Sequence, residues 1–336
     1  MPSELEIISW IRKHSRASSG VKVGIGDDAA VIETGGAGDW IVCSDLMVEG
    51  VHFRSEWAAP RLIGRKALAV TLSDVAAMGG AARFALASIA LPGGLSAQLI
   101  EELFHGMFEL ADDYGVSIIG GDTSSSRDSL FIDTVAIGEC ARGGAVTRSG
   151  AQVGDIIYVT GKLGASALGL ALLERGYRLE EKNRDDARQR AIRKHLDPEP
   201  LLKAGRAIGE AHLATAMIDI SDGLSTDLSH ILEESRCGAI VHASAIPVAR
   251  CALELSVGIG LDAFNLALHG GEEYELLFTA RPENQNRVAE LSNAIGMMIT
   301  AIGEITDGKG LQLEHSGRIE RLSPSGYEHR IGNDER

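Results

Sequence analysis

Six aspartates raise the first question of chemistry. Asp28 lies in GIGDDAAV (24–31), Asp45 ends IVCSD, Asp74 sits in LSDVAAMGG and Asp122 in IIGGDTS, while Asp219 and Asp222 share IDISDG. Each stands at or near the end of an apolar segment. Such segments form core elements, so their ends can meet at one edge of the fold. Carboxylates gathered there repel one another unless a cation lies among them. Mg²⁺ suits such a set, being a hard, oxygen-seeking ion that completes its shell with water and substrate phosphate. This also reconciles the two halves of GIGDDAAV: the glycines admit a phosphate to the backbone, and a metal ion separates it from Asp27 and Asp28. The competing explanation is structural. An Asp after a strand commonly makes a turn or caps a helix, and Asp222 before Gly223 fits a cap. The residues alone leave both explanations open.

Other polar residues divide the same way. His52 in EGVHF reads as a core histidine or a site residue. Arg148 in TRSGA reads as half of a surface ion pair or as a bidentate phosphate ligand. Arg65 and Lys66 read as solvated or interfacial helix residues. Glu272 and Glu273 follow Gly270-Gly271, either as a cation-binding loop or as an ordinary one. Two stretches mislead. GIGDDA fits G-x-G-x-x-A, but a strand-like AVIE follows where a dinucleotide fingerprint needs a helix. GEITDGKG (303–310) nearly matches a P-loop, but Gly310 replaces the metal-binding hydroxyl and LQLEH follows, so a hairpin turn is expected.

The elements that must position these residues alternate along the chain. DWIVCSD (39–45), FALASIAL (84–91), VSIIGGDT and LFIDTVAIGE read as strands, and 60–78 and 96–114 as helices, with Gly115 as a C-terminal cap. After a polar stretch at 147–155, DIIYVTG, ATAMIDIS and GGEEYELLFTA read as strand-bearing segments. Helices are expected at about 164–175 and over GLSTDLSHILEESRC, the latter closed by Gly238. The charged run 178–194 reads as a solvated surface segment. The first 15 residues read as an amphipathic helix, with Ser3 and Glu6 at capping-box spacing and Leu5, Ile8 and Ile11 on one face. An α+β / α/β chain of two domains, 1–150 and 151–336, is therefore expected. Its 336 residues suffice for two cores.

A formal net charge of −15 argues against nucleic acid as a partner. The longest apolar run, Phe84 to Pro92, is far short of the ~20 residues of a membrane span. Four scattered cysteines contain no C-x-x-C pair, and no signal-peptide core precedes the first helix, so a cytoplasmic protein is expected.

Taken together, GIGDDAAV, SDLMVEGVHF, ALAVTLSDVAAMG, IIGGDTS, VTRSGAQVGDIIYVTG, ATAMIDISDGLSTDL, GGEEYELLF and SGYEH resemble the thiamine-monophosphate kinases, of the superfamily that includes aminoimidazole ribonucleotide synthetase. The resemblance runs from about residue 24 to 329. It implies ATP-dependent phosphorylation of thiamine monophosphate to thiamine diphosphate. It implies several Mg²⁺ ions at Asp28, Cys43, Ser44, Asp45, Asp74, Asp122, Asp219 and Asp222. It implies ATP contacts at Tyr114, Gly121, Asp122, Arg148 and Ser221, and substrate contacts at His52, Glu272 and Tyr327. It also implies a homodimer whose N-terminal domains share a β-barrel. Cys43 stands where the family commonly has a hydroxyl residue, and Glu273 where it commonly has Asp. The rival readings are another ATP-dependent enzyme of the superfamily and a non-catalytic metal- and nucleotide-binding module.

Overall fold

The computed structural model describes residues 3–16, 18–183 and 185–328; the final residue of SGYEH, His329, and the remainder of the expected second domain to 336 lie outside them. The first half opens with α1 (Glu4–His14), β1 (Val21–Val23), β2 (Ala30–Glu33) and β3 (Gly38–Val48). It continues with α2 (Pro60–Ala77), β4 (Ala81–Leu91), α3 (Ala97–Tyr114), β5 (Ser117–Gly120), β6 (Thr123–Ser125) and β7 (Phe131–Ala141). Its sheet runs β1-β2-β3-β7-β4-β5, with β6 also on β4.

The second half comprises β8 (Ile156–Thr160), α4 (Ala165–Glu174), α5 (Ala187–Leu196), α6 (Leu202–Glu210), β9 (Ala214–Asp219), α7 (Leu224–Ser235) and β10 (Gly238–His242). It ends with α8 (Arg250–Leu255), α9 (Ala263–His269), β11 (Leu276–Ala280), α10 (Gln285–Ile295), β12 (Ile299–Thr306), β13 (Gly310–His315) and β14 (Arg318–Leu322). Its sheet runs β14-β13-β10-β12-β8-β11-β9.

Helix α2 lies between the two sheets, touching β3, β7 and β9 as well as α3 and α6. Its residues are apolar nearly all round, which is the pattern of a buried helix. Leu72, Val75 and Ala76 of α2 share one core with Met217 of β9 and Phe278 of β11. Glycines allow this closeness. A Cβ at Gly64 would lie 1.8 Å from the Leu103 carbonyl of α3, and one at Gly205 of α6 would lie 2.1 Å from that of Ala76.

The two sheets differ in cover. In β3, Ile41, Cys43 and Met47 point into the core, as alternation along a strand requires. The opposite face stays open: Trp40 and Leu46 are exposed, and Trp40 stacks with Phe84 of β4 at 6.2 Å between centroids.

Ser3 and Glu6 form the expected capping box, and Ser96 and Gly115 cap α3, Gly115 in the left-handed region at φ 67°. Three expectations are corrected. β12 and β13 form no hairpin, because β10 runs between them, antiparallel to one and parallel to the other. Helix α7 ends at Arg236, in a left-handed conformation, while Gly238 opens β10, where Gly308 leaves no room for a Cβ. The charged run is no mere solvated segment: it ends in α5, which buries Ala191, Ile192 and His195.

Candidate active site

The acidic residues do converge. Asp28 comes from the turn after β1, Asp74 from α2 and Asp219 from the end of β9, and one carboxylate oxygen of each lies within 4.8 Å of the others. Arg148 Nε and Nη2 donate to Asp28 Oδ1 at 3.1 and 2.5 Å, the Arg148 backbone N–H donates to Asp27, and Ser73 Oγ donates to Asp219 Oδ2 at 2.6 Å. Two oxygens, Asp28 Oδ2 and Asp45 Oδ2, are buried without a partner.

Buried acids crowded in this way favour the protonated form. Burial, then the neighbouring Asp28, pushes Asp219 up to about 8. Burial, then Asp45 and Asp219, raises Asp74 well above the ordinary carboxyl value. Burial raises Asp28 too, against the pull of Arg148. Orphaned oxygens and mutually repelling acids are the donor set a hard divalent cation would satisfy.

Asp45 joins this cluster to a cavity of about 930 Å³. The cavity is lined by Ser44, Asp45, His52, Ser221, Asp222, Glu272 and Tyr327, with an apolar wall that includes Val51, Trp57, Val70, Leu170 and Tyr274. Glu4 of α1, Leu46 of β3, His195 of α5 and His269 of α9 also line it, and among the described residues no Lys or Arg does. The Asp222 and Gly223 amides both donate to Asp227 Oδ2, at 3.2 and 2.9 Å, so this buried acid fixes the turn that carries Asp222.

Glu272 and Glu273 part company. Glu272 faces the cavity, with Lys66 Nζ at 2.9 Å and His195 Nδ1 at 3.0 Å on its two oxygens. Burial works to raise its pKa, but Lys66 and then His195 outweigh burial and hold it well below the usual carboxylate range. Glu273 turns away. Its Oε1 accepts the Gly164 and Ser166 N–H groups at 2.7 and 3.0 Å, capping α4, and burial pushes it up to about 7.

Three expectations meet a different placement. Cys43 offers no thiolate: its Sγ–H donates to the Thr71 carbonyl at 3.3 Å inside the core, and burial, then Asp74, drives its pKa well up. Gly121 and Asp122 lie exposed on the β5–β6 turn, away from the acidic cluster. The register sets β7 and β4 between them and Asp45, a separation of roughly three strand spacings, or about 14 Å. Gly121 is nonetheless required there, since a Cβ would lie 1.8 Å from the Ala87 carbonyl. Tyr114 lines a separate cleft with Arg65, Asp113 and Asp197. Lys66, expected to be solvated or interfacial, is buried instead, and His195 emerges only from the structure. The readable signal for Lys66 was its place in a helix too apolar to have a solvated face.

The family models of AIR synthase related protein match in both parts, the N-terminal domain over residues 26–140 and the C-terminal domain over 152–316. A thiamine-monophosphate kinase of Bacillus subtilis is 38% identical, covering 97% of this chain and 99% of that protein, and one of Escherichia coli K12 is 38% identical over 92% of both. Among solved structures, AaThiL complexed with AMPPCP and TMP matches with a TM-score of 0.85 at 30% identity, covering 98% of this chain and 97% of that one. Escherichia coli HypE, at 22% identity and a TM-score of 0.69 over 95% and 96%, shares the fold alone. Full-length relatives above 30% identity and two matching domains in order place this chain in the thiamine-monophosphate kinase family.

Proposed function

We propose that the protein transfers the terminal phosphoryl group of ATP to thiamine monophosphate, yielding thiamine diphosphate and ADP. The observation that carries this reading is the join of a cation-seeking acidic cluster to a largely apolar cavity with an ionised carboxylate and, among the described residues, no lining Lys or Arg. A heterocyclic cation suits the cavity. Two polyanions suit the cluster only if metal ions come with them.

Asp28, Asp45, Asp74, Asp219 and Asp222 would hold Mg²⁺, with Ser44 beside them; Asp122 would serve the nucleotide from its separate turn. The ions would supply charge neutralisation for the phosphates. Arg148, anchored on Asp28, keeps further N–H donors for a phosphate oxygen. Ser221 and Gly121 would bind ATP with it, and Tyr114 from its cleft. His52 and Tyr327 would bind the acceptor with Glu272.

The nucleophile is an oxygen of the acceptor phosphate, whose second pKa is about 6, so no general base is needed. This oxygen bonds to the γ-phosphorus in line as the bond to the β–γ bridging oxygen breaks, and ADP leaves with that electron pair. No phosphoenzyme forms.

The open face of the first sheet, with Trp40 and Leu46 exposed, fits a second copy of this chain. Sedimentation of the purified protein should give a dimer, and Trp40→Asp a monomer.

The direct test is incubation with ATP, Mg²⁺ and thiamine monophosphate, with thiamine in parallel, followed by chromatography. Thiamine diphosphate from the monophosphate alone, lost on chelation, is the expected result. A folded, ATP-binding protein that makes none overturns the reading.

A further inference from the structure

One cation stands behind the cavity wall. Lys66 is 2% exposed, and its Nζ donates to Glu272 Oε1 at 2.9 Å and to the His52 carbonyl at 3.2 Å. It thus ties together two cavity segments, the loop after β3 and the loop before β11. His195 takes the other Glu272 oxygen and also meets Ser166 Oγ at 3.1 Å. Burial, then Lys66, lowers the His195 pKa and favours the neutral ring, and the same Nδ1 faces both acceptors, so its one N–H is shared between the Glu272 carboxylate and the Ser166 hydroxyl.

The backbone bearing this carboxylate is costly. Glu272 and Tyr274 have φ of 58° and 50°, a conformation side-chain-bearing residues hold only when their surroundings force it. Here the Glu272 N–H donates to the Ser221 carbonyl at 2.6 Å and the Tyr274 N–H to that of Ile220 at 2.8 Å. A buried ion pair gives little net stability compared with an apolar replacement, so stability alone is a poor reason for this construction. A quarter of the Glu272 side chain still faces the cavity.

We propose that Lys66 and His195 are positioning residues that hold the Glu272 carboxylate, ionised and aimed, to receive the organic cation of the phosphorylated acceptor. This rests on the kinase reading and names how that site selects its acceptor: a phosphate ester that also carries a positive heteroaromatic ring. Lys66 itself meets no substrate, because it is buried behind the wall and does not line the cavity.

The test compares Lys66→Met with Lys66→Arg and His195→Leu with His195→Gln, the second of each pair keeping a donor. In steady-state assays the Met and Leu variants should raise KM for thiamine monophosphate about 10- to 100-fold, the worth of a hydrogen bond to a charged group. KM for ATP should stay within about twofold, because only acceptor binding is touched. Arg and Gln should recover most of the loss. Unchanged acceptor KM, an ATP KM that rises in step, or no advantage of Arg and Gln over Met and Leu overturns the proposal. Should Lys66→Met fail to fold, the His195 pair decides the question by the same measurements. Calorimetric titration of thiamine monophosphate into wild type and variants separates the two readings. If the wild type makes no product, the kinase reading fails, while affinity lost in Leu and kept in Gln still supports the positioning role.

Discussion

The acidic cluster and the cavity beside it hold two kinds of carboxylate. Asp28, Asp74 and Asp219 face one another with a single arginine among them, and burial and mutual repulsion push their pKa values up. Glu272 keeps a quarter of its side chain open to the cavity, and a lysine and a histidine from two other elements hold its pKa down. The first group is left short of positive charge. The second carries its own, and so is charged before any ligand arrives. Burial alone therefore does not tell what an acid does; the cations folded in beside it do.

Opposite substitutions break this comparison most sharply. Asp74→Asn should lower turnover about 10²- to 10³-fold, as loss of a preorganised charge-stabilising group does. It should also raise the melting temperature of metal-free protein, by about 2 °C for each 1 kcal/mol of repulsion relieved. A lower melting temperature would show that the cluster is not strained. Lys66→Met should do the reverse to stability, costing about 3 kcal/mol by leaving a buried carboxylate unpaired, and Lys66→Met with Glu272→Met should regain most of it. Denaturant unfolding of the three proteins measures both.

Next comes pH. Asp219 titrates at about 8 in the folded protein against an ordinary 3.8, so between those values the folded state binds more protons than the unfolded one. Stability of metal-free protein from this group should therefore be greatest at the acidic end and fall as pH rises from about 4 to about 8. Saturating Mg²⁺ should raise the melting temperature most near pH 8 and release protons on binding. A Mg²⁺ effect independent of pH would contradict the cluster's role. The smallest effect belongs to Glu273→Gln, which keeps an acceptor for the α4 amides. It should cost about 0.5–1 kcal/mol and leave acceptor KM alone, where Glu272→Gln should not.

Much of this was legible beforehand for a physical reason. Asp219 closes β9, Asp45 and Asp74 lie three residues from the ends of β3 and α2, and Asp28 and Asp222 lie in turns beside strands, so their place near element ends could be read without coordinates; the same rule picked out Asp122, which lies on a separate turn. The capping residues Ser3 and Gly115 were equally plain, because caps are local. What was hidden depends on contacts remote in sequence. His195 lies within RLEEKNRDDARQRAIRKHL, where charges mask an inward face of Ala191, Ile192 and His195. Glu272 and Glu273 look alike in GGEEYE, and only the left-handed φ at Glu272 sends them to different partners. The turn at 307–309 looked like a hairpin because nothing local announces that β10 intervenes.

Helix α2 carries both Asp74 and Lys66. Eight residues separate them, about 12 Å along the axis. Glycines seat this helix so closely against α3 and α6 that it cannot slide. On the proposed reading the helix is a ruler with two marks, one for the phosphate end of a guest and one for its ring end. An acceptor whose ring and phosphate are set too far apart or too close should then satisfy either mark but not both. Discrimination by molecular length would follow from the spacing along one rod.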